Sequence, residues 1–456
     1  MIVLGRWRET IETLVKTVAV GIGAVLIAIS LLVLVNTLPE GRVAAHVSES
    51  MPMYLQEGDY PNELPGSPGG RRDNFTEAIM LTMAIYPSQG APFNNAIFSH
   101  RLTGSTSSAG ESSRVQNLEY ALSKIGDPDY IARAGGHTRY WHGYLVVLKP
   151  LLLVLNPAEI RYLNLALQLV LIVLTSLLLI RRTTPKVLLP TLTTYMFLNP
   201  VATALSFQYY SVFYCTIFGV LAILVGHDFF EKYHLWPAFF LVLGMAVSFL
   251  DLLTYPVLAL GIPLMVYVLI RKESNLYKVL VNSVVWAIGY VGFWSLKWVL
   301  AALFTNQPMS TVREYIFFRL DSSGRGKDLA NRFAFNRLDG IRNNLSEVTQ
   351  SSPVALLVIL SVLVLCVLLA LRIVRFYKRP SLEITTNICI IFVAMYPLFW
   401  YLVVLNHSAI HSFFTYRDLG VSLCAALLLG MQFISRGSWS DALTSIGNRE
   451  NSAVLN

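Results

Sequence analysis

Three short stretches of this chain place charged and aromatic side chains at spacings that could do chemistry. The first is Arg71-Arg72-Asp73-Asn74-Phe75-Thr76-Glu77. It sets a carboxylate at the start of an amphipathic helix expected over 74–86, beside two guanidinium groups that should keep Asp73 ionised. Asp73 or Asn74 can cap that helix with Glu77 completing the capping pattern. Asp73 can also act as a general base for an acceptor hydroxyl, and the two roles are compatible. The second stretch is Arg139-Tyr140-Trp141-His142-Gly143-Tyr144, with Lys149 and Arg161 following. Cations and rings at the edge of an apolar region suit a phosphate at headgroup level with a sugar stacked beside it, or else an interfacial anchor. The third runs from Asn406 to Asp418 and holds His407, His411, Tyr416 and Arg417. On a helix the two histidines would share a face, but no third metal ligand stands near, so phosphate contact by His411 and Arg417 is the stronger reading over metal binding. Arg417 and Asp418 are alternatively a structural pair.

Two further charged residues lie at the ends of apolar segments, where an ionisable group is costly and usually paired or functional. Asp251 sits in Ser248-Phe249-Leu250-Asp251-Leu252-Leu253-Thr254-Tyr255-Pro256, at a turn facing the other charged residues. Lys297 falls about a turn and a half below the end of its segment and can serve a site or snorkel. With Asp73 as the catalytic candidate, Arg72, Arg139, Tyr140, His142, Lys149, Asp251, Lys297, His407, His411, Tyr416 and Arg417 are the candidates for binding a phosphate or sugar. Asn74-Phe75-Thr76 and Asn344-Leu345-Ser346 match the short glycosylation pattern.

The elements that must position these residues are set by composition. Of 456 residues 55% are hydrophobic and 14% charged, and mean hydropathy is +0.56, which excludes an ordinary soluble chain. Runs such as Val20–Val35, Val354–Leu371 and Cys389–Leu405 approach the roughly 20 residues that cross about 30 Å of hydrocarbon. The net charge of +8 comes from basic residues in short loops beside apolar runs, a topology signal rather than a nucleic-acid surface. All four cysteines lie in apolar stretches, so no disulfide framework or zinc site is implied.

The run from Tyr144 to Leu155 decides the topology. It holds about a dozen residues with Lys149-Pro150 inside, short for a span, and counting it as non-spanning puts every short basic loop on one side. The expected architecture is then an all-α polytopic membrane protein with about ten transmembrane helices. It divides into a cytoplasmic N-terminus and retained signal-anchor span (1–38), a first extracytoplasmic loop with juxtamembrane helices (39–161), spans two to seven (162–305), a second extracytoplasmic loop (306–352), spans eight to ten (353–434) and a cytoplasmic tail (435–456). The first loop is expected to hold a second amphipathic helix over 113–125, and the second loop carries seven basic against five acidic residues between Arg313 and Glu347.

An anchor span, a long loop with an acidic residue soon after it, a juxtamembrane apolar segment with Lys-Pro, and Ile160-Arg161-Tyr162-Leu163-Asn164 opening the second span together resemble the GT-C superfamily of membrane glycosyltransferases. The resemblance is architectural and covers most of the chain. It implies a catalytic Asp73 in the first loop and a polyprenyl-phosphate sugar donor at the outer interface. It further implies a glycan or lipid acceptor of the cell envelope, a plasma-membrane location with both termini cytoplasmic, and room for a divalent cation. The chain departs from better-known members in lacking a paired-acid motif directly after the first span and a large C-terminal soluble domain. The competing reading is a flippase or transporter of a lipid-linked glycan precursor, for which the basic loop and Asp251 would be translocation contacts.

Overall fold

A computed structural model describes residues 2–63, 68–88, 90–104, 113–273, 275–305, 309–320, 335–350 and 382–434. The run expected to span at 354–371, the basic residues Arg372, Arg375, Lys378 and Arg379, and the tail from 435 lie outside the described residues. The described residues form helices, with a two-residue antiparallel pairing of His100–Arg101 with Gly135–Gly136 and an isolated bridge between Asn62 and Arg71.

Helix α1 (Ile2–Val35) has 34 residues and is about 51 Å long at 1.5 Å per residue. Seven short helices follow: α2 (Glu40–Glu49), α3 (Met51–Glu57), α4 (Asn74–Ala84), α5 (Pro92–Phe98), α6 (Arg114–Lys124), α7 (Pro128–Ala132) and α8 (Leu145–Leu152). Helices α4 and α6 fall where the sequence places them, and Ser113 caps α6 by accepting from Gln116 N. At eight residues α8 is about 12 Å long, too short for a crossing.

The chain then passes through α9 (Pro157–Arg182), α10 (Leu188–Phe197), α11 (Pro200–Leu205), α12 (Phe207–Lys232), α13 (Trp236–Leu250), α14 (Leu258–Arg271) and α15 (Leu276–Thr305). Helices α16 (Met309–Leu320) and α17 (Asp339–Gln350) follow, then α18 (Leu382–Ala394), α19 (Tyr396–Val403), α20 (Leu405–Ile410), α21 (Ser412–Thr415) and α22 (Gly420–Ile434). Among the described residues, six helical stretches are long and apolar enough to cross a membrane: 7–35, 157–182, 207–232, 276–305, 384–403 and 412–431. Helices α13 and α14 are shorter apolar helices.

Helix α9 shows why the surrounding solvent must be lipid. Its outward face is apolar, with Val170 63% and Val173 58% exposed, while Asn164, Gln168, Thr175 and Ser176 are buried. Polar atoms turned inward and methyl groups turned outward is the arrangement that hydrocarbon favours and water penalises. The chain is an all-α membrane protein.

Small residues set the closest packing. A Cβ on Gly244 would stand 2.2 Å from Trp286 O, and one on Gly289 would stand 2.2 Å from Leu241 O. Helices α13 and α15 therefore meet backbone to backbone, where dispersion replaces the hydrophobic effect that lipid cannot supply.

Candidate functional site

Asp73 is the N-cap of α4. Its two carboxylate oxygens accept from Thr76 N and Thr76 Oγ1, both at 2.8 Å, and its own N–H donates to Ser206 Oγ at 3.4 Å. The neighbouring arginines do not neutralise it. Arg72 turns away to Glu57 at 2.7 Å and Glu63 at 2.5 Å, so it is a structural ion pair rather than a phosphate ligand. Arg71 lies over the rings of Tyr60 and Phe413, 5.9 and 5.2 Å from their centroids. Burial therefore dominates and lifts the Asp73 pKa to about 7 against the pull of the two bonds from Thr76. The expectation of a permanently ionised Asp73 is corrected: its carboxyl is poised for proton exchange near neutral pH.

Glu77 does not complete a capping box. It is fully buried and meets Arg161, whose Nε and Nη2 donate to Glu77 Oε1 at 3.1 and 2.9 Å. Arg161 also reaches Glu57 Oε2 at 3.0 Å and Asn74 Oδ1 at 2.8 Å, and Tyr54 OH donates to Glu77 Oε1 at 2.5 Å. This network fastens α3 and α4 to the start of α9 and fixes the entry angle of Asp73. It also rules on the glycosylation patterns. The Asn74 amide donates to Glu57 and Gly58 O, and the Asn344 amide to Gly340 O and Ser408 O, both from fully buried side chains.

The Asn406–Asp418 stretch comes to the same place. Arg417 is fully buried and donates to Leu198 O at 2.8 Å, Phe413 O at 3.2 Å and Gly69 O at 3.0 Å. Its guanidinium lies 4.4 Å from the Tyr209 ring and 4.9 Å from that of Tyr416. It makes no pair with Asp418, which instead accepts from Leu258 N at 3.0 Å and so caps α14. Gly69 is required here because a Cβ would meet the Tyr416 hydroxyl at 2.6 Å. His407 donates through Nε2 to Leu253 O and accepts at Nδ1 from Arg319. That bond holds Leu253 at φ 67°, a left-handed conformation that a branched side chain adopts only when its surroundings impose it. His411 stacks on Phe414, 5.1 Å between centroids, and burial holds both histidines below their usual pKa, His411 at about 3. His411 lies just past the end of α20, yet its N–H donates to His407 O at 3.0 Å and the two ring centroids stand 4.7 Å apart, so the histidines share one face as the spacing predicts. Asp251 accepts from Thr254 N at 2.8 Å and Thr254 Oγ1 at 2.5 Å, which shapes the same turn. Its burial raises the pKa to about 6.

The remaining candidates gather elsewhere and are largely occupied. The Arg139 carbonyl accepts from Trp294 and Trp298 at 2.6 and 3.1 Å, Tyr140 stacks on Trp294, and Trp141 Nε1 donates to Phe293 O at 2.7 Å. These contacts clamp the segment to α15. Lys297 neither snorkels nor reaches a phosphate. Its three N–H bonds go to Ala96 O, Ile97 O and Ser99 Oγ at 2.9, 2.7 and 2.9 Å, so it caps the C-terminus of α5 and has no donor left. His142 is buried against His137, with Nε2 2.9 Å from the His137 carbonyl, and burial lowers its pKa to about 3. Lys149 is buried on α8, its pKa lowered to about 8 by burial against the opposing pull of Glu40.

An apolar cavity of about 560 Å³ opens between α8, α9, α12 and α13. Met80, Leu163, Phe207, Tyr210, Phe218 and Leu243 are among its lining residues, and Leu163 and Phe218 are exposed on the apolar flank. Asp73 and Glu77 are not lining residues but are linked to the cavity through Phe207 and its neighbour: Phe207 N donates to Glu77 Oε2 at 3.3 Å, and Ser206, the residue before, accepts from the backbone N–H of Asp73. The Tyr210 hydroxyl is buried there with no hydrogen-bond partner among the described residues.

Compared with family profiles, curated proteins and solved structures, the chain matches none.

The site is thus defined by its own geometry. Asp73, Arg71, Arg417 and the histidine loop converge through Tyr209 and Phe413, whereas Arg139, Tyr140, His142 and Lys297 form a separate clamp. Among the described residues no three His, Cys, Asp or Glu side chains gather. Sequence reasoning missed Glu57, Tyr54, Tyr209, Ser206, His137 and Arg319. Only Glu77 and Arg161 carried a signal, as an acid and a base at the edges of apolar runs that need each other.

Proposed function

We propose that the chain is a membrane glycosyltransferase that moves a sugar from a polyprenyl-phosphate carrier to a cell-envelope glycan or lipid at the outer membrane face. The observation that carries this reading is a lipid-facing apolar groove lined by Phe207, next to Ser206, whose hydroxyl accepts from the backbone N–H of Asp73. A groove of that volume, open toward lipid, suits an isoprenoid chain, and a carboxyl poised near pH 7 suits a general base.

In the proposed step the acceptor hydroxyl oxygen attacks the anomeric carbon of the donor sugar. The bond from that carbon to the phosphate oxygen breaks, and the electron pair leaves with the polyprenyl phosphate. The hydroxyl proton passes to Asp73, so the configuration inverts without a further reactant. Among the described residues Arg417 bonds only to carbonyl oxygens and makes no ion pair, and it supplies positive potential for the departing phosphate. Thr76 holds the carboxylate in one rotamer. The same reading takes the chain to be a plasma-membrane protein with ten crossings, both termini cytoplasmic, and residues 39–161 outside.

The test is direct. Purified chain in nanodiscs, supplied with a radiolabelled polyprenyl-phosphate sugar and an envelope glycan, should release polyprenyl phosphate in step with labelled glycan. Movement of intact labelled donor between leaflets without either product supports the flippase reading instead.

A further inference from the structure

Around Asp73 lies a group of side chains that the transfer step does not use. Tyr60 and Phe75 stack with centroids 5.7 Å apart and planes 11° from parallel, and Phe413 meets the edge of Tyr60 at 5.9 Å. Guanidinium groups bracket this stack. Arg114 lies 5.1 Å from the Phe75 centroid, and Arg71 lies over both Tyr60 and Phe413. Tyr60 is 46% exposed, so the platform opens to water.

Among the described residues neither cation makes an ion pair, and the buried Nε of Arg114 has no hydrogen-bond partner. Asp59 does not serve them. It accepts from Ser113 Oγ, Arg114 N and Val115 N and is committed to the start of α6. Leaving two arginines uncompensated beside stacked rings costs stability in an empty protein. The cost is recovered if an anion arrives between them.

We propose that Tyr60, Phe75, Phe413, Arg71 and Arg114 form the acceptor subsite, and that the acceptor is an anionic sugar bearing a carboxylate or phosphate. The pyranose ring lies on the exposed face of Tyr60 while its charged group engages Arg71 and Arg114, which brings a hydroxyl toward Asp73 two residues from Arg71. The groove is linked to Asp73 by different residues, Phe207 on its wall and Ser206 beside it, so donor and acceptor approach through different contacts. This inference rests on the reading of Asp73 as the base.

The test measures binding alone, so that its failure is distinct from failure of the transfer reading. Full-length chain in phosphatidylcholine nanodiscs is titrated with methyl glucopyranosiduronic acid, glucose 6-phosphate, neutral methyl glucopyranoside and inorganic phosphate. At least one charged sugar should bind about tenfold or more tighter than the neutral sugar and than phosphate alone, as one charge-assisted contact implies. R71Q and R114Q should each lose about that factor, R71K should retain most of it, and Y60A should weaken charged and neutral sugars together. D73N should bind the charged sugar at least as tightly as the wild type, because the substitution removes a negative charge beside the anion. Equal binding of the neutral sugar, phosphate binding as tight as either charged sugar, or unchanged binding in R71Q with R114Q would overturn the proposal. None of these outcomes touches the transfer assay with D73N.

Discussion

Replacing Asp73 with Asn should stabilise the protein at alkaline pH while slowing its chemistry. The amide is the same size as the carboxylate, its oxygen can keep the bond from Thr76 N, and its NH₂ can donate to Thr76 Oγ1. What the change removes is a charge held where burial opposes it. The Asp73 pKa is lifted from 3.8 to about 7. Each unit is about 1.4 kcal/mol, so ionising this group in the fold costs on the order of 4 kcal/mol above pH 7. The sign follows from proton counts. Between the two pKa values the folded state binds more protons than the unfolded state, so wild-type stability falls as pH rises from about 4 to about 7 and then levels off. Linkage gives roughly 2 kcal/mol of destabilisation at pH 5.5 and roughly 4 at pH 8.5. The gain in D73N over wild type should therefore grow by about 2 kcal/mol across that interval. Denaturant unfolding in matched detergent at the two pH values measures it. A D73N protein destabilised to the same extent at both would refute the claim that burial, rather than ion pairing, governs this carboxyl.

The same carboxyl predicts that transfer rises with pH along a single limb centred near 7 and reaches a plateau above it, read from an initial-rate profile. Arg161→Met should cost about 3–5 kcal/mol of stability by stranding the buried Glu77, and a denaturant melt gives the value. Gly289→Val should force α15 off Leu241 O of α13 and cost about 1–3 kcal/mol or prevent folding, read as loss of monodisperse protein. Ala246→Trp, which fills part of the groove, should raise KM for a long isoprenoid donor while leaving a short-chain donor nearly unaffected.

The sequence told a good deal about elements and less about partners. Helices α4 and α6 were legible because apolar spacing and a capping side chain act locally. The shortness of α8 was legible from its length and its Lys-Pro. Membrane residence followed from hydropathy alone. The fates of individual charges were not legible, because they depend on contacts across long stretches of chain. Nothing near Lys297 in sequence announces Ala96, Ile97 and Ser99 as its acceptors. Arg72 and Arg71 stand side by side, yet one is spent on Glu57 and Glu63 and the other is left on two aromatic rings. Asp73 looked ionised because its sequence neighbours are cationic, and it is buried in a setting built partly by Ser206 and Tyr209, more than 130 residues away.

The central claim, that Asp73 is the base of a sugar transfer, is tested most directly by single-turnover transfer with donor already bound. Purified D73N should retain photo-crosslinking to a benzophenone-tagged polyprenyl-phosphate sugar in the groove while its transfer rate falls by about 10²–10⁴ relative to wild type. Transfer by D73N at the wild-type rate, with the donor equally bound, would contradict it.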